Sequence, residues 1–463
     1  MGKRTVDNRA STARGTKLHE KSKQGAFKGR KSTPRGAIGR ERELAKKEKA
    51  PMWLIVVLDA LARQRATKEA LDKVLQNLCK RHRIGARERK IAGDAAYALV
   101  RNRKAIGDRI AEGINRLGGV SPQTRDQDLA GVLLALAQQG QERPFTPALP
   151  FSLEETVAIA FEEQEKLRPK LPKWLEKRMR TLTHGDEDHD EFLEALFTRA
   201  PFCVAFDERH VNEAGLIKAF ADLGRVAAPS PLVPGALRVD GNCPLTQLPK
   251  TLQAHVWPMD DGSRLVAATV DAQEGKNVLD LCAGGGGKSK IMAQTKANLL
   301  CCDVDARRLD NARKRLPRGI SYVLLDGTNP PFENETFDYI LVDAPCTGTG
   351  TLRRTPDLLE RLDEGGVLKY VDLQRKLLGA AAPLLKKGGR LVYATCSLLP
   401  EENIGVTEHA PSILSPLPLK KAWSALPESE TRSALVDDDT HQMTLLPHTA
   451  GSDGFFIAAF ERR

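Results

Sequence analysis

The apolar positions change rhythm twice along this 463-residue chain. From 52 to about 140 they recur at spacings of three and four. "WLIVVLDALARQ" opens the stretch, "RERKIAGDAAYALVRNRKAIGDRIAEGI" continues it, and "GVLLALAQQG" closes it on a glycine stop. This period predicts four to six short helices and no strand over 52–140. "QERPFTPALPF" (141–151) carries three prolines and reads as a linker. Over 153–260 the pattern is mixed. Helical "PKWLEKRMRTL" and "EAGLIKAFADLG" alternate with strand-like "FCVAFD" and "ALRVD", which predicts a linker helix and a small α+β module.

Over 261–463 strand-length apolar runs alternate regularly with helical ones. "NVLDLCAG", "NLLCCDVD", "SYVLLDG", "FDYILVDAP" and "GRLVYATCS" are near-continuous in apolar residues, and "GFFIAAFERR" supplies a last strand. Strands buried on both faces read this way, so the class is α/β with a doubly wound, mostly parallel sheet. The pattern contains no internal repeat.

Composition narrows the setting. With 41% hydrophobic and 28% charged residues the chain is ordinary for a soluble globular protein. The longest apolar runs fall short of the ~18–20 residues that span a bilayer, and no charged-then-apolar signal segment opens it. The expectation is a soluble, cytoplasmic protein. Eight cysteines, at 79, 203, 243, 282, 301, 302, 346 and 396, are too sparse for a disulfide scaffold, and none has CxxC spacing, so no structural zinc site is expected. A reducing interior also disfavours a disulfide between Cys346 and Cys396.

The charge is concentrated. Lys and Arg number 71 against 60 Asp and Glu, a net +11. Residues 1–50 hold 16 basic and 5 acidic residues, the whole +11, which leaves 55 against 55 elsewhere. So polar a stretch cannot bury a core, and 1–50 reads as a basic disordered tail. Its counterpart is a solubilising role or, better matched to a flexible polycation, a phosphate backbone.

Candidate chemistry gathers at the strand ends. "VLDLCAGGGGKS" runs a strand into four glycines and a helix, where backbone can approach a cofactor closely. The spacing is neither GxGxxG nor, in its strand context, a P-loop. Asp303 follows Asp280 by 23 residues, the separation at which an acid reaches a nucleoside's ribose. Asp326 and Asp343 end the next two apolar runs. Four carboxylates on one edge would repel a pyrophosphate and attract the sulfonium and amino group of S-adenosylmethionine.

Together, "DLCAGGGGKS", "DAPCTGTG", "RLVYATCSLLPEEN" and "PHTAGSDGFF" resemble the RsmB/Sun family of RNA cytosine-5 methyltransferases over roughly 250–463. Helical 52–140, chiefly "AYALVRNRKAIGDRI", is similar to the NusB-like RNA-binding domain of the RsmB branch. The resemblance implies a Rossmann-like methyltransferase core ending in an antiparallel hairpin, with S-adenosylmethionine as cofactor and an unpaired or extruded cytosine of ribosomal RNA as target. Transfer RNA, and a non-enzymatic ribosome-assembly factor, are the alternatives; DNA methylation would use the "PC" thiol alone. By resemblance Cys396 is the nucleophile on cytosine carbon 6 and Cys346 assists release. Asp343 meets the base, and Lys288 assists beside it or else faces solvent. Cys282, Ala283, Gly284, Gly285, Gly286, Gly287 and Lys288 wrap the methionine end of the cofactor, Asp343 lies at the same site, Asp303 holds the ribose and Asp326 the adenine. Arg308 sits where the family often has an arginine. Cys301 and Cys302, and by its strand-like setting Cys282, also read as core. The chain departs from the family in having Gly284 and Gly285 for Ala-Pro, and in meeting the family's Arg-x-Asn only loosely with "DERHVN" (207–212).

If the tail grips RNA, deleting residues 1–50 weakens binding and flattens its salt dependence. Dissociation constants measured across a salt series check this; an unchanged slope rejects the role.

Overall fold

The computed structural model describes residues 51–116, 124–137, 157–158, 170–241 and 243–463. The basic segment 1–50, the glycine stop at 140 and the proline-rich 141–151 lie outside the described residues. The helical period of the first region gives α1 (Met52–Thr67), α2 (Leu71–Arg81), α3 (Ala86–Arg101), α4 (Arg103–Arg116) and α5 (Thr124–Ala137). Val57, Leu61, Leu78, Ala95 and Leu133 close one shared core among them. Helix α1 stops where Lys68 turns left-handed (φ 56°) and returns its N–H to the Gln64 carbonyl.

The next two helices, α6 (Lys173–Met179) and α7 (Gly185–Phe197), do not join the small module with which the sequence groups them. Their apolar stripes put Leu175, Met179, Phe192 and Leu196 into the core of the large sheet, beside Leu279, Ile340 and Leu391. The module itself is a four-stranded sheet of β1 (Phe202–Phe206), β2 (Ala227–Pro229), β3 (Ala236–Val239) and β4 (Val256–Pro258), with α8 (Glu213–Ala221) against it. Its order is β2-β3-β1-β4, antiparallel throughout. Strands β2 and β4 are three residues each, too short to show an alternation in sequence.

Helix α9 (Asp261–Val270) leads into the core, where β5 (Asn277–Asp280), α10 (Gly287–Met292), β6 (Asn298–Asp303), α11 (Ala306–Arg315), β7 (Ser321–Leu324), β8 (Phe337–Asp343), α12 (Glu364–Ala381) and β9 (Leu385–Thr395) follow in the expected alternation. Then come β10 (Leu414–Pro416), β11 (Gln442–Leu445) and β12 (Phe455–Arg462). The sheet runs β7-β6-β5-β8-β9-β12, with β10 and β11 both on the far edge of β12. Strands β5 to β9 pair in parallel, and β12 runs antiparallel to β9. Successive residues divide between two cores. Leu279, Ile340, Leu391 and Tyr393 face one side, and Val278, Leu341, Val392 and Ala394 the other. Burial on both faces is why these strands lack polar alternation. Among the described residues no helix is long and apolar enough to cross a membrane.

The chain leaves β5 toward β6 and β7, then returns to β8 on the other side of β5. This reversal opens a crevice beyond the carboxyl ends of the strands. The loop after β8 seals one wall of it: the Gly350 N–H donates to the Cys396 carbonyl (2.9 Å), and the Gly454 N–H donates to the Gly350 carbonyl (2.9 Å). A Cβ at Gly350 would lie 2.1 Å from the Gly454 carbonyl oxygen, a backbone atom that cannot turn aside. Gly350→Ala should therefore destabilise the fold by about 3 kcal/mol, the upper range of overpacking. Urea unfolding checks it, and a loss below about 1 kcal/mol would mean the two segments separate easily.

Candidate active site

The crevice collects most of the residues that the sequence nominates. Strands β8 and β9 are neighbours, with Asp343 opposite Ala394. A cysteine follows three residues past β8 and directly after β9, and the two sulfurs, Cys346 Sγ and Cys396 Sγ, stand 3.4 Å apart. Both are free thiols. The Cys396 thiol is held below its ordinary range, chiefly by the hydrogen bond from Cys346, with the Lys288 ammonium also favouring the thiolate. Cys346 is pushed well above the ordinary range by the same hydrogen bond and by burial. The two thiols share one hydrogen bond, and of the two Cys396 is the more readily ionised.

Lys288 begins α10 and turns inward rather than to solvent. Its Nζ donates to Asp343 Oδ2 (2.8 Å) and lies 5.3 Å from the centre of the Phe455 ring. Burial opposes the ammonium, but the Asp343 carboxylate outweighs it and holds Lys288 above its ordinary range. One face of the site thus carries a paired acid and base beside two sulfurs.

The glycine loop forms the adjoining wall. The Ala283 N–H bonds to the Cys302 carbonyl (2.8 Å), which fixes the loop's start on β6. Gly284 (φ 56°) and Gly286 (φ 79°) both take left-handed conformations, open to glycine without strain. The turn at Gly284 delivers its N–H to Asp303 Oδ2 (2.8 Å), while Oδ1 accepts the Asp305 N–H (2.7 Å). A Cβ at Gly285 would sit 3.2 Å from Arg315 Nη1, and at Gly284 or Gly287 it would meet nothing within 4 Å. Cys282 lies two residues past the end of β5 and is half-buried, so it is a loop residue and not, as its apolar setting suggests, a strand residue; Cys301 and Cys302 are buried in β6 as expected.

Two further nominated residues are exposed. Asp326 is exposed two positions beyond β7, and its Oδ1 accepts from the backbone N–H and hydroxyl of Thr328. A turn, and not the strand, carries it. Arg308 lies on the exposed face of α11, where its backbone N–H donates to Asp305 Oδ1 (3.3 Å).

Other contributors carry weaker sequence signals. Asp280 is buried at the foot of the loop; Ser289 donates to its Oδ2 (2.6 Å), and its Oδ1 is buried without a partner. Burial pushes Asp280 up to about 7. Val304, flanked by Asp303 and Asp305, is 75% exposed, an apolar side chain left open to solvent. An unpartnered carboxylate oxygen, two further acids, an exposed valine and a loop with open space at Gly284 and Gly287 fit a cationic nucleoside. Behind the thiols lies a buried polar cluster of Thr347, Gln374, Ser397, Glu402 and Asn403. Only "PEEN" within the longer motif hinted at it.

Two groups of metal-ligating side chains occur among the described residues, Asp207–His210–His255 and Cys203–Asp260–Asp261. In the first, Arg209 donates to both Asp207 oxygens (2.9 and 2.7 Å). In the second, Arg354 holds Asp260 (2.9 Å) and Arg238 holds Asp261 (2.7 Å). Arginine already neutralises these acids.

The chain is similar to known proteins over much of its length. The profile of a family described as 16S rRNA methyltransferase RsmB/F matches residues 267–461. The ribosomal RNA small subunit methyltransferase B of Salmonella arizonae is 34% identical over 295 residues, 62% of this chain and 65% of that protein. The protein of that name from Sodalis glossinidius is 30% identical over 320 residues, 66% of this chain and 69% of its own length. The chain thus spans about two-thirds of these relatives. Among solved structures, PH0851 matches with a TM-score of 0.66 at 21% identity, covering 88% of this chain and 98% of its own. A methyltransferase homolog protein from Pyrococcus horikoshii matches at 0.50 and 25% identity, covering 63% of this chain and all of its own.

The shared hydrogen bond makes a prediction. Cys346→Ala removes the donor that favours the Cys396 thiolate, so the midpoint of Cys396 alkylation by iodoacetamide should move to higher pH. Peptide mass spectrometry across a pH series checks it.

Proposed function

We propose that this chain, which belongs to the 16S rRNA methyltransferase RsmB/F family, transfers a methyl group from S-adenosylmethionine to carbon 5 of a cytosine in small-subunit ribosomal RNA. The observation that carries the reading is the pair of sulfurs 3.4 Å apart beside the Lys288–Asp343 pair.

Carbon 5 of cytosine is a poor nucleophile, and the two thiols answer that difficulty. The Cys396 thiolate adds to carbon 6, forming a carbon–sulfur bond and moving an electron pair to the carbon 5 side of the ring. Asp343 and Lys288 meet the polar edge of the base, where negative charge develops. The cofactor, when bound, supplies an electrophilic methyl group on a sulfonium. The residues fitted to hold it are the loop 282–288, Asp280, Asp303 and Val304. Once Cys396 is a thioether its charge no longer opposes ionisation of Cys346, which gives its own proton to water and, as thiolate, takes the one on carbon 5. The electron pair left at carbon 5 closes the ring double bond, expels Cys396 as thiolate and restores aromaticity. The target base has to leave its stack to reach the sulfurs.

The names of the relatives support ribosomal over transfer RNA. Both thiols count against a purely structural ribosome-assembly role. Cys396→Ala should abolish methyl transfer to RNA. Cys346→Ala should instead accumulate a covalent RNA–protein adduct, seen as a denaturation-resistant band. Transfer by Cys396→Ala, together with an inactive, adduct-free Cys346→Ala, would exchange the two roles.

A further inference from the structure

Behind the thiols, Glu402 is 0% exposed and makes no ion pair among the described residues. Its carboxylate accepts four hydrogen bonds. The Thr347 N–H (2.9 Å) and Gln374 Nε2 (3.0 Å) reach Oε1, and the hydroxyls of Thr347 and Ser397 reach Oε2. Thr347 follows Cys346 in sequence, and Ser397 follows Cys396. The two hydroxyls also meet each other (3.1 Å). Gln374 spans from Glu402 to the Pro345 carbonyl (2.9 Å), on the other side of Cys346. Glu402 is itself fixed: its carbonyl accepts the Tyr393 hydroxyl (2.7 Å), and Asn403 bonds to both Thr395 (2.6 Å) and the Ser397 carbonyl (2.9 Å).

A buried charge without a counter-ion is costly, and an apolar side chain of similar size would pack here at less expense. Four donors from three segments offset the cost, which leaves the placement of the charge to be explained.

We propose that Glu402 is a positioning residue for both thiols: it ties the residue after each cysteine to one carboxylate and so keeps Cys346 and Cys396 within hydrogen-bond distance of each other. The charged groups facing the sulfurs are Glu402, which opposes ionisation of both thiols, and Asp343 and Lys288, which act on Cys396 in opposite directions. The inference rests on the methyl-transfer reading for its purpose, but its geometry is tested apart from it.

The test uses the full chain with Glu402→Gln, which keeps the shape and removes the charge, and Ser397→Ala, which withdraws one donor on the Cys396 side. Iodoacetamide alkylation of each cysteine is followed by mass spectrometry across pH, beside kcat, KM for RNA and thermal unfolding. We expect the alkylation midpoints of the two thiols, separate in the wild type, to converge by at least about one pH unit in both variants. We expect kcat to fall about tenfold or more, with KM for RNA within about twofold. An unchanged gap in a folded variant overturns the proposal, whether or not activity falls, since general loosening would lower activity alone. If Glu402→Gln does not fold, the gap in Ser397→Ala decides. A wild-type chain with well-separated thiols but no methyl transfer would reject the methyltransferase reading and leave the Glu402 geometry standing.

Discussion

The parallel pairing of β8 with β9 is the constraint from which the site follows. With Asp343 opposite Ala394, two strands end level with each other, and the loops that leave them cannot avoid meeting. Everything near the sulfurs serves to hold that meeting in place. Gly350 threads between the Cys396 carbonyl and Gly454, and Glu402 gathers the residues after each cysteine. A slip of one residue would turn Asp343 from the crevice to a buried face, because strand side chains alternate.

Electrostatics then divides the crevice into two halves. The loop after β5 and the end of β6 carry acids, which suit a cationic ligand. The ends of β8 and β9 carry an acid and two sulfurs, with Lys288 reaching in beside them, which suits a base that must accept charge during attack. Lys288 belongs to both halves: it begins the helix that follows the glycine loop, yet it reaches across to Asp343. The one side chain links the position of the loop to the position of the thiols.

Much of this was legible in the sequence, because doubly buried strands and glycine-marked turns leave strong local patterns. The β5–β9 alternation, the final strand, the two thiols and Asp303 were readable at that level. What escaped depends on contacts between distant segments. The three-residue strands β2 and β4 exist only through pairing with their neighbours. The apolar stripes of α6 and α7 showed that they were buried, not against which sheet. Asp326 sits in an apolar context that looks like a strand end, but it lies two residues past β7, in a turn that only the bond to Thr328 reveals. Glu402 is an acid among many in composition, and only the fold places it behind the sulfurs.

The helical bundle touches the core at a telling point. At the start of α2 the Leu71 N–H donates to Asp357 (3.1 Å), and at the end of α3 Arg101 donates to the Arg353 carbonyl (3.3 Å). Arg103 pairs with Glu360 in the same segment. Residues 353–360 continue directly from the loop that carries Cys346. The bundle is thus fastened at three points to the stretch that presents the thiol, so that a displacement of one is felt by the other.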